Sequence, residues 1–376
     1  MMRPLSVLGI VSYRIFPAQM GGQKCVAGFY QELARHAKVT LAVAHTNKNA
    51  GADGLDVNAF LFDHWKGLLN IAYLLRLRKL VRRRAVDLII IEHSYFGWLG
   101  LTLRRLTKKP LVIRSHNIES HRFRDMRRWW WWLYERYEKR VHRRADHCFF
   151  ITEEDLDWAV QHWGLSAARC SVMSYGIDIS EPVSAAQRAE ARNVLQMRHL
   201  FPSDERLFFF NGSLDYLPNI DALRIIVTEL IPLLRSARYA FRVIICGKGL
   251  SSEWINVLRS YREIIYAGFV SDIQNYWYGT DCFINPVTLG GGIRIKLVEA
   301  LAHGLTTIST ISGARGVPVS VTGDKQQLVN DYDWPSFAQQ MMRADLPLDT
   351  GVSPAFLDRY SQANIVRRAL LSLQTL

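Results

Sequence analysis

The stretch FINPVTLGGGIRIKLVEALAHG, residues 283–304, determines how the rest of the chain is interpreted. A short apolar run, typical of a buried strand, leads into three glycines. A helical pattern then continues without a breaker until Gly304. Because glycine lets a ligand approach the main chain closely, this strand, turn and helix together are typical of a binding turn.

The three glycines of the turn are Gly290, Gly291 and Gly292. The first N–H groups of a helix lack internal partners and the peptide dipoles leave partial positive charge there, so we expect a phosphate group at this turn. Arg294 and Lys296 follow at once, and Glu299 lies one turn after Lys296. A carboxylate repels phosphate but accepts hydrogen bonds from sugar hydroxyls, so Glu299 is predicted to hold a ribose. The alternative is an ordinary strand-to-helix turn with a solvated charged face.

A family resemblance rests on PVTLGGGIRIKLVEALAHG, residues 286–304, and on TTISTISGARG, residues 306–316. Together they resemble the donor-binding signature of family 4 of the retaining glycosyltransferases. The usual signature has two glutamates separated by seven residues. Here the second is Glu299 and the first position is Gly291, as in a branch of the family with a triple-glycine loop. The resemblance implies an α/β protein of the GT-B fold, in which two Rossmann-like domains face each other across a cleft and bind a nucleotide-sugar.

Length and composition agree with two globular domains. The chain has 376 residues, of which 49% are hydrophobic and 22% charged. From the resemblance we expect an acceptor-side domain at 1–180, a nucleotide-sugar domain at 181–355, and a terminal helix at 356–376 that crosses back to the first domain. The five cysteines are odd in number, scattered and without CxxC spacing, which favours a reducing cytoplasm over a disulfide or zinc framework.

The positive charge is concentrated in the first 150 residues. They hold 27 Lys and Arg against 11 Asp and Glu, whereas the remaining residues hold 20 against 23. A field of this sign attracts nucleic acid or acidic lipid head groups. No apolar run approaches the ~20 residues of a membrane span, and no export signal is visible.

Apolar runs of strand length recur in both halves of the chain. They predict strands at 5–11, 39–45, 87–92, 110–114, 148–152, 207–210, 241–249 and 264–270. His93 and His116 come directly after, or close after, two of these strands, where open α/β sheets bind ligands. The alternative for each is a surface or capping histidine. Family members carry a histidine beside the donor sugar at the place of His116, so the resemblance implies a catalytic role for it. We assign His93 to the acceptor side.

The resemblance extends to further donor-binding positions. These are Gly21, Gly22, Gly212, Ser213, Gly247, Gly268 and Val270. It implies that the first two lie near the donor phosphates and that the backbone of 264–270 reads the nucleotide base. Many family members carry an Arg and a Lys within the segment at 211–223, where this chain has Ser213 and Asn219 instead. Arg294 and Lys296 are therefore predicted to support the departing diphosphate as catalytic residues.

Two features of the first half suggest a membrane surface. The helical pattern after Tyr73 places leucines on one arc and arginines, from Arg76 to Arg83, on the other. The run RRWWWW, residues 127–132, places Trp131 and Trp132 among cations. We predict that both features contact an anionic membrane or the acceptor, which gives a cytoplasmic protein, peripheral on the inner face of the membrane. The alternatives are a helix packed on its own sheet and a loop whose tryptophans fold back locally.

Taken together, the sequence predicts a metal-independent, retaining glycosyltransferase of the hexosyltransferase type. It would transfer a sugar from a nucleotide diphosphate donor to a hydroxyl of a lipid-linked acceptor or envelope polysaccharide. The resemblance implies that the donor diphosphate itself receives the acceptor proton, so no carboxylate base and no cofactor are expected. We expect no metal because the DxD patterns, Asp155/Asp157 and Asp331/Asp333, do not sit just after a predicted strand.

Two other functions are compatible with parts of the sequence. A nucleotide-sugar 2-epimerase of the same fold needs carboxylate acid and base partners that flank the sugar, and no such pair is evident. A basic nucleic-acid-binding protein would interleave charges and aromatics along an exposed groove. The glycine turns suit a small phosphate ligand instead, so we expect no nucleic-acid partner.

Overall fold

The computed structural model describes residues 3–18, 21–48, 51–52, 54–178, 182–290, 292–343 and 351–376. The chain divides into two compact units. The first comprises Met1–Asp178, Gly291–Ile293 and Asp358–Leu376, and the second comprises Ile179–Gly290 and Arg294–Leu357.

The first unit is built on a seven-stranded sheet whose neighbouring strands all pair in parallel. Its strands are β1 (Ser6–Val11), β2 (Lys38–Ala44), β3 (Asp56–Leu61), β4 (Leu88–Glu92), β5 (Leu111–Ser115), β6 (His147–Phe150) and β7 (Cys170–Val172). They lie in the order β3-β2-β1-β4-β5-β6-β7. The strand order reverses between β1 and β4, and doubly wound sheets bind ligands at the carboxyl ends of the strands at such a point.

Helices cover both faces of this sheet. They are α1 (Gly21–Ala34), α2 (Leu74–Arg83), α3 (Gly97–Thr107), α4 (Glu119–Asp125), α5 (Trp131–Arg144) and α6 (Glu153–Trp163), with a 3₁₀ helix at His64–Tyr73 before α2. Because successive side chains of a strand point to opposite faces, Val7 joins one core cluster and Leu8 joins the other. Continuous burial on both faces explains why the central strands read as uninterrupted apolar runs.

The second unit repeats this topology with six parallel strands. They are β8 (Arg206–Ser213), β9 (Phe241–Lys248), β10 (Ile264–Gly268), β11 (Cys282–Asn285), β12 (Thr306–Thr310) and β13 (Gln326–Val329), in the order β10-β9-β8-β11-β12-β13. The helices are α7 (Ala185–His199), α8 (Leu217–Ile225), α9 (Ile231–Ser236), α10 (Ser252–Arg259), α11 (Gln274–Gly279), α12 (Ile295–Ala302), α13 (Val319–Thr322) and α14 (Trp334–Arg343). Here the strand order reverses between β8 and β11.

Two helices end the chain, α15 (Pro354–Tyr360) and α16 (Gln362–Leu373). Helix α16 packs on α1, and its buried residues Ile365, Val366, Ala369 and Leu373 share a core with the first sheet. A parallel bridge joins Ser361 to Ile177. Among the described residues, no helix is long and apolar enough to cross a bilayer.

The predicted strands are confirmed, with small differences at their ends. Strands β3, β7, β12 and β13 were missed: β3, β7 and β13 are edge strands without a continuous apolar run, and β12 is an inner strand made largely of Thr and Ser. The polar composition of 181–198 favours a linker that separates the two domains, but in the structure this stretch mostly forms α7 in the second unit. A Ser184–Gln187 capping box starts this helix, and its face with Ala191 and Leu195 is buried. The linker interpretation was therefore wrong.

A buried histidine on α5 generates a stability prediction. His142 Nδ1 donates to the carbonyl of Glu138 at 2.9 Å, while Nε2 is buried without a partner between Phe150 and Trp163. Burial lowers the pKa of His142 to about 4, so the unfolded chain binds a proton at this residue that the folded chain does not between pH 6.5 and 4.

Its contribution to stability is therefore lost as the pH falls through this window. Replacing His142→Phe should reduce the loss of unfolding free energy between pH 7 and pH 5 by about 2 kcal/mol. Urea unfolding at both pH values measures the difference, with His162→Phe on the exposed face of α6 as the control. An unchanged pH slope in His142→Phe would contradict this account.

Candidate functional site

The glycine turn connects β11 to α12, and a buried arginine closes it. Gly290 and Gly292 adopt positive φ angles of 84° and 73°, a region that favours glycine. Arg294 precedes the helix, and its Nη2 donates to the carbonyls of Leu289 at 2.6 Å and Gly290 at 3.0 Å. The residue is 9% exposed, and burial lowers the pKa of its guanidinium. The predicted contact at Gly291 lies outside the described residues.

Lys296 is held at the same edge of the second sheet. Its Nζ donates to Asn219 Oδ1 at 3.0 Å and lies 4.1 Å from the centre of the Phe210 ring. The other end of the Asn219 amide donates to the carbonyl of Ser213 at 2.8 Å. Burial, together with the nearby Arg294 charge, holds the pKa of Lys296 well below its usual range. An anion beside this amine would raise its pKa again.

Asn219 is the residue whose role sequence reasoning missed at this turn. The sequence analysis noted only that Asn219 stands where relatives carry a cation. In the structure, its two amide ends connect the end of β8 to the first turn of α12. No local sequence pattern marks this role: Asn219 lies in the first turn of α8 and is 8% exposed, so its amide needs partners, which only the fold supplies.

Glu299 lies on α12 one turn after Lys296 and is half-buried. His303, one turn further along the chain, stacks on Trp277 of α11, with ring centroids 5.6 Å apart. Burial lowers the pKa of His303 to about 4. Lys296, Glu299 and His303 are all half-buried, but the His303 ring is engaged in this stack.

The other predicted donor positions of the second unit lie at the carboxyl ends of its strands. Gly212 and Gly247 are paired in the register of β8 and β9. A Cβ at Gly247 would lie 2.1 Å from the Gly212 carbonyl oxygen, so the close approach of the two strands requires this glycine. Gly268 ends β10 with a positive φ of 66°, and Val270 is half-buried just beyond it. The fold thus brings these positions and the glycine turn to one edge of the sheet.

The corresponding edge of the first sheet holds both predicted histidines. His93 follows β4 and His116 follows β5, and their rings stack with centroids 4.1 Å apart and an interplanar angle of 17°. Gly21 and Gly22 lie in the first turn of α1, and a Cβ at Gly22 would meet nothing within 4 Å. The structure therefore brings together the two histidines, which the sequence analysis had assigned to different roles.

His116 belongs to a buried charge network. It is 2% exposed; its Nε2 donates to Glu92, and its Nδ1 accepts from the hydroxyl of Tyr175. Glu92 is also paired with Arg114 at 3.3 Å. Burial alone would raise the pKa of Glu92, but Arg114 and His116 hold it down to about 2. Burial, with the neighbouring His93, lowers the pKa of His116 to about 3, so this ring is neutral and both of its nitrogens are engaged.

His93 is the partly exposed ring of the pair, with 12% of its side chain accessible. Its Nδ1 lies 2.9 Å from Glu119 Oε1, and Glu119 also accepts from the hydroxyl of Tyr95 at 2.6 Å. Burial alone would raise the pKa of Glu119, but the hydrogen bond from His93 and its charge hold it down to about 2. Because an ionised carboxylate only accepts, Nδ1 carries the proton of this hydrogen bond, which leaves Nε2 as the ring nitrogen that can hydrogen-bond to a ligand hydroxyl.

Glu138 of α5 holds the backbone at Glu119 and the Ser94 side chain next to His93. Its carboxylate accepts from the backbone N–H groups of Glu119 at 3.1 Å and Ser120 at 3.0 Å, and from the Ser94 hydroxyl at 3.0 Å. It thereby connects the residue after His93 to the start of α4. Burial raises the pKa of Glu138 to about 8. Sequence reasoning missed Glu138, although a carboxylate on the buried arc of a helix, one turn before Val141, was a signal.

The predicted surface residues are placed as follows. Arg76 and Arg83 are exposed on α2, and the Arg76 guanidinium lies 4.0 Å from the centre of the Phe60 ring. Trp131 is half-buried at the start of α5, and Trp132 is 45% exposed. Leu133 is 47% exposed, because the buried arc of α5 runs through Glu138 and Val141.

The expectation about the acidic DxD patterns was wrong in one case. Asp331 lies two residues after β13, contrary to that expectation. Its carboxylate accepts from the backbone N–H of Ser312 at 3.0 Å and from the Ser312 hydroxyl. In the part of the chain that the structure describes, no three His, Cys, Asp or Glu residues are grouped as metal ligands would be.

Comparison with protein families assigns most of the chain to two related descriptions. Residues 20–181 match the family described as Glycosyltransferase Family 4. Residues 205–344 match the family described as Glycosyl transferases group 1. A sequence search of curated proteins found no significant match.

Solved structures of similar fold cover the whole chain at low sequence identity. Sucrose-phosphate synthase from Thermosynechococcus elongatus has a TM-score of 0.75 and 15% identity, covering 98% of each chain. HepE from Anabaena in complex with UDP-glucose has a TM-score of 0.73 and 14% identity, covering 98% of this chain and 100% of that one. The lipopolysaccharide outer core galactosyltransferase WaaB has a TM-score of 0.68 and 12% identity, covering 99% of each chain.

Proposed function

Because the chain belongs to the family 4 type of glycosyltransferases and has the GT-B fold, we propose that it transfers a hexose from a nucleotide diphosphate sugar to an acceptor hydroxyl with retention of configuration. The acceptor is a lipid-linked or envelope glycan. The observation that carries the donor assignment is the Ser213–Asn219–Lys296 connection beside the glycine turn.

This connection creates an anion site before any ligand arrives. The amine of Lys296 is fixed at the edge of the sheet where the N-terminus of α12 points, and helix N-termini attract phosphate. Its lowered pKa reflects the desolvation of the amine and the nearby positive charge of Arg294. A diphosphate supplies the missing negative charge, and that charge grows as the sugar bond breaks. HepE, of the same fold, was crystallised with UDP-glucose, which supports a nucleotide-sugar as donor.

In the proposed reaction, the acceptor oxygen bonds to the anomeric carbon of the donor while the bond from that carbon to the diphosphate breaks. The acceptor proton passes to the departing diphosphate, so no protein carboxylate is needed as a base. Lys296 and the glycine turn stabilise the leaving charge, and Glu299 accepts hydrogen bonds from the ribose. Arg294 shapes the turn through the carbonyls of Leu289 and Gly290.

On the acceptor side, the proposal assigns different roles to the stacked histidines. His93 Nε2 accepts from a sugar hydroxyl, because Glu119 holds the opposite ring nitrogen. His116 is a positioning residue, since both of its ring nitrogens are engaged within the protein. Peripheral binding to an anionic membrane, on its cytoplasmic face, completes the proposal and is supported by the excess of Lys and Arg in the first 150 residues.

The proposal is tested by incubating the protein with a panel of UDP-, GDP- and ADP-sugars and following sugar release by mass spectrometry. We expect hydrolysis of one donor class, with released sugar that initially keeps the donor's anomeric configuration by NMR. Inverted product would overturn the retaining mechanism. Failure of every nucleotide diphosphate to bind in calorimetry would overturn the donor assignment.

The ribose contact predicts the effect of Glu299→Gln. A neutral amide accepts hydroxyl hydrogens less strongly than a carboxylate, so binding of UDP, or of the nucleotide diphosphate selected by the panel, should weaken by about 1 to 3 kcal/mol. Calorimetry measures the affinity, and circular dichroism should show an unchanged fold. Glu190→Gln, on the exposed face of α7, is the matched control. Equal affinities for Glu299→Gln and wild type would remove Glu299 from the site.

The lowered pKa of Lys296 predicts proton uptake on donor binding. At pH 8 the diphosphate should raise the pKa of the amine, so the complex takes up a proton from the buffer. The uptake is measured as the difference in binding enthalpy between phosphate and Tris buffers. Lys296→Met should bind the nucleotide more weakly and abolish the uptake, whereas Lys248→Met, at the exposed end of β9, should retain it. Uptake that persists in Lys296→Met would assign it to another group.

A further inference from the structure

Four aliphatic side chains of the first unit point into solvent from one continuous segment. The segment is the 3₁₀ helix at His64–Tyr73 and the first turn of α2. The side chains, which we call the aliphatic ridge, are Leu68 (73% exposed), Leu69 (53%), Ile71 (57%) and Leu75 (75%). Single exposed leucines are ordinary, but four within eight residues form a patch that indicates an apolar partner.

The fold fixes the orientation of the ridge. An ordinary surface helix exposes polar side chains and buries apolar ones, whereas this segment exposes aliphatic side chains and buries an amide. A polar residue in the middle of the segment, Asn70, is completely buried. Its amide accepts from the backbone N–H of Phe62 at 2.8 Å and donates to the Phe62 carbonyl at 2.9 Å. On the same segment, Gly67 lies so close to Phe96 that a Cβ would be 2.7 Å from its ring. The segment is thus held with its amide inward and its aliphatic groups outward.

Cations adjoin the ridge on the same helix. Leu75 lies on one stripe of α2 with Arg78, Lys79 and Arg82, which follow at helical spacing and are all exposed. Residues 64–84 contain no Asp or Glu. An apolar group beside cations matches the interface of an anionic bilayer, where acyl chains lie beneath phosphate head groups.

A second exposed apolar cluster of the first unit lies near the loop that follows β4. Its members are Met126 (50% exposed), Trp129 (77%), Trp132 (45%) and Leu133 (47%). Between Met126 and Trp132 in sequence lies Trp130, whose ring centroid is 4.6 Å from that of Phe123; the Phe123 ring in turn is 6.4 Å from Tyr95 in the loop after β4. The segment that carries the aliphatic ridge approaches this loop where Gly67 lies against Phe96. Both clusters therefore adjoin the residues that follow His93 at the end of β4.

We infer that the aliphatic ridge enters the acyl region of an anionic bilayer, with the cations of α2 on the head groups and the tryptophan-containing cluster at the interface. The inference deepens the proposed function, since it places the loop after β4 beside the membrane, where a lipid-linked acceptor reaches His93. It also specifies hydrophobic insertion, which electrostatic attraction alone does not provide.

The charge of the segment favours a bilayer over a second copy of the chain. A two-fold symmetric dimer brings the same patch of both copies together. The cations beside the ridge would then face each other, and like charges across an interface cost binding energy. An anionic bilayer satisfies both the aliphatic groups and the cations.

The test uses sedimentation with vesicles of phosphatidylcholine and phosphatidylglycerol in equal parts, and with phosphatidylcholine alone. The variant replaces Leu68, Leu69, Ile71 and Leu75 by serine. We expect binding to the acidic vesicles to weaken by about tenfold or more, because the removed side chains supply the apolar area. At high salt, wild type should retain part of its binding and the variant none, because salt screens head-group attraction but not insertion.

The matched control replaces Leu200 and Leu371, which are 86% and 64% exposed elsewhere, by serine and should bind vesicles like wild type. Equal vesicle binding by the ridge variant and wild type would overturn the inference, as would wild type that ignores acidic vesicles. A wild-type dimer that the ridge variant converts to a monomer, with vesicle binding unchanged, would assign the ridge to a second copy.

UDP affinity on the same preparations separates this inference from the proposed function. Vesicle binding through the ridge without affinity for any nucleotide diphosphate would leave the ridge assignment intact and remove the donor assignment. Nucleotide binding without vesicle binding would leave the donor assignment intact and remove the ridge assignment. Ridge variants should keep wild-type nucleotide affinity, since the changed side chains belong to the first unit, whereas Asn219, Lys296 and Glu299 belong to the second.

Discussion

The carboxylate of Glu92, completely buried at the end of β4, is the constraint on which the acceptor-side edge depends. A buried charge is tolerated only when other groups pair with it, and here Arg114 and His116 of β5 and its loop do so. These pairs fix the end of one strand against the next. They also fix the His116 ring in its stack with His93, and this stack defines the orientation of the partly exposed His93 imidazole.

In the second unit, a neutral amide rather than a carboxylate fixes the end of a strand against a neighbouring element. The amide of Asn219 satisfies a strand carbonyl with one end and the Lys296 amine with the other. A carboxylate in that place would neutralise the lysine and remove its attraction for a phosphate. An amide holds the amine without cancelling its charge, so the cation stays available for an anionic ligand. The two sheets share one strand order, yet one edge balances its charge internally and the other leaves a positive charge to be balanced by a ligand.

Much of the fold could be predicted because central parallel strands are buried on both faces and therefore read as apolar runs. The run at 87–92 is an example, and it forms β4 nearly as predicted. Edge strands such as β7, three residues long, carry no such signal. The helix α7 was mistaken for a linker because its sequence is largely polar and few of its residues are buried, although Ser184 and Gln187 form a capping box.

The candidate site was predictable where its signal is local and not where it depends on distant pairs. The glycine turn and the cations beside it follow one another in sequence. By contrast, Glu119 and Glu138 are 26 and 45 positions away from His93 along the chain. Glu119 bonds to the His93 ring and Glu138 bonds to the neighbouring Ser94, and only the fold brings these residues together. No spacing rule connects these residues. The same holds for Asn70, whose burial turns the neighbouring leucines outward.

The return of α16 to the first unit bears on how this protein is made. The residues of α16 that cover one face of α1 follow the second unit along the chain, so the apolar groups near Gly28 stay uncovered by them until the whole second unit has been synthesised. The second unit contains residues 179–357 except for 291–293, so it can fold before the first unit is complete. Domains usually complete in the order of synthesis. Here the earlier half waits for the later one, and a nascent chain that stalls before residue 358 presents an incomplete first core to chaperones and proteases.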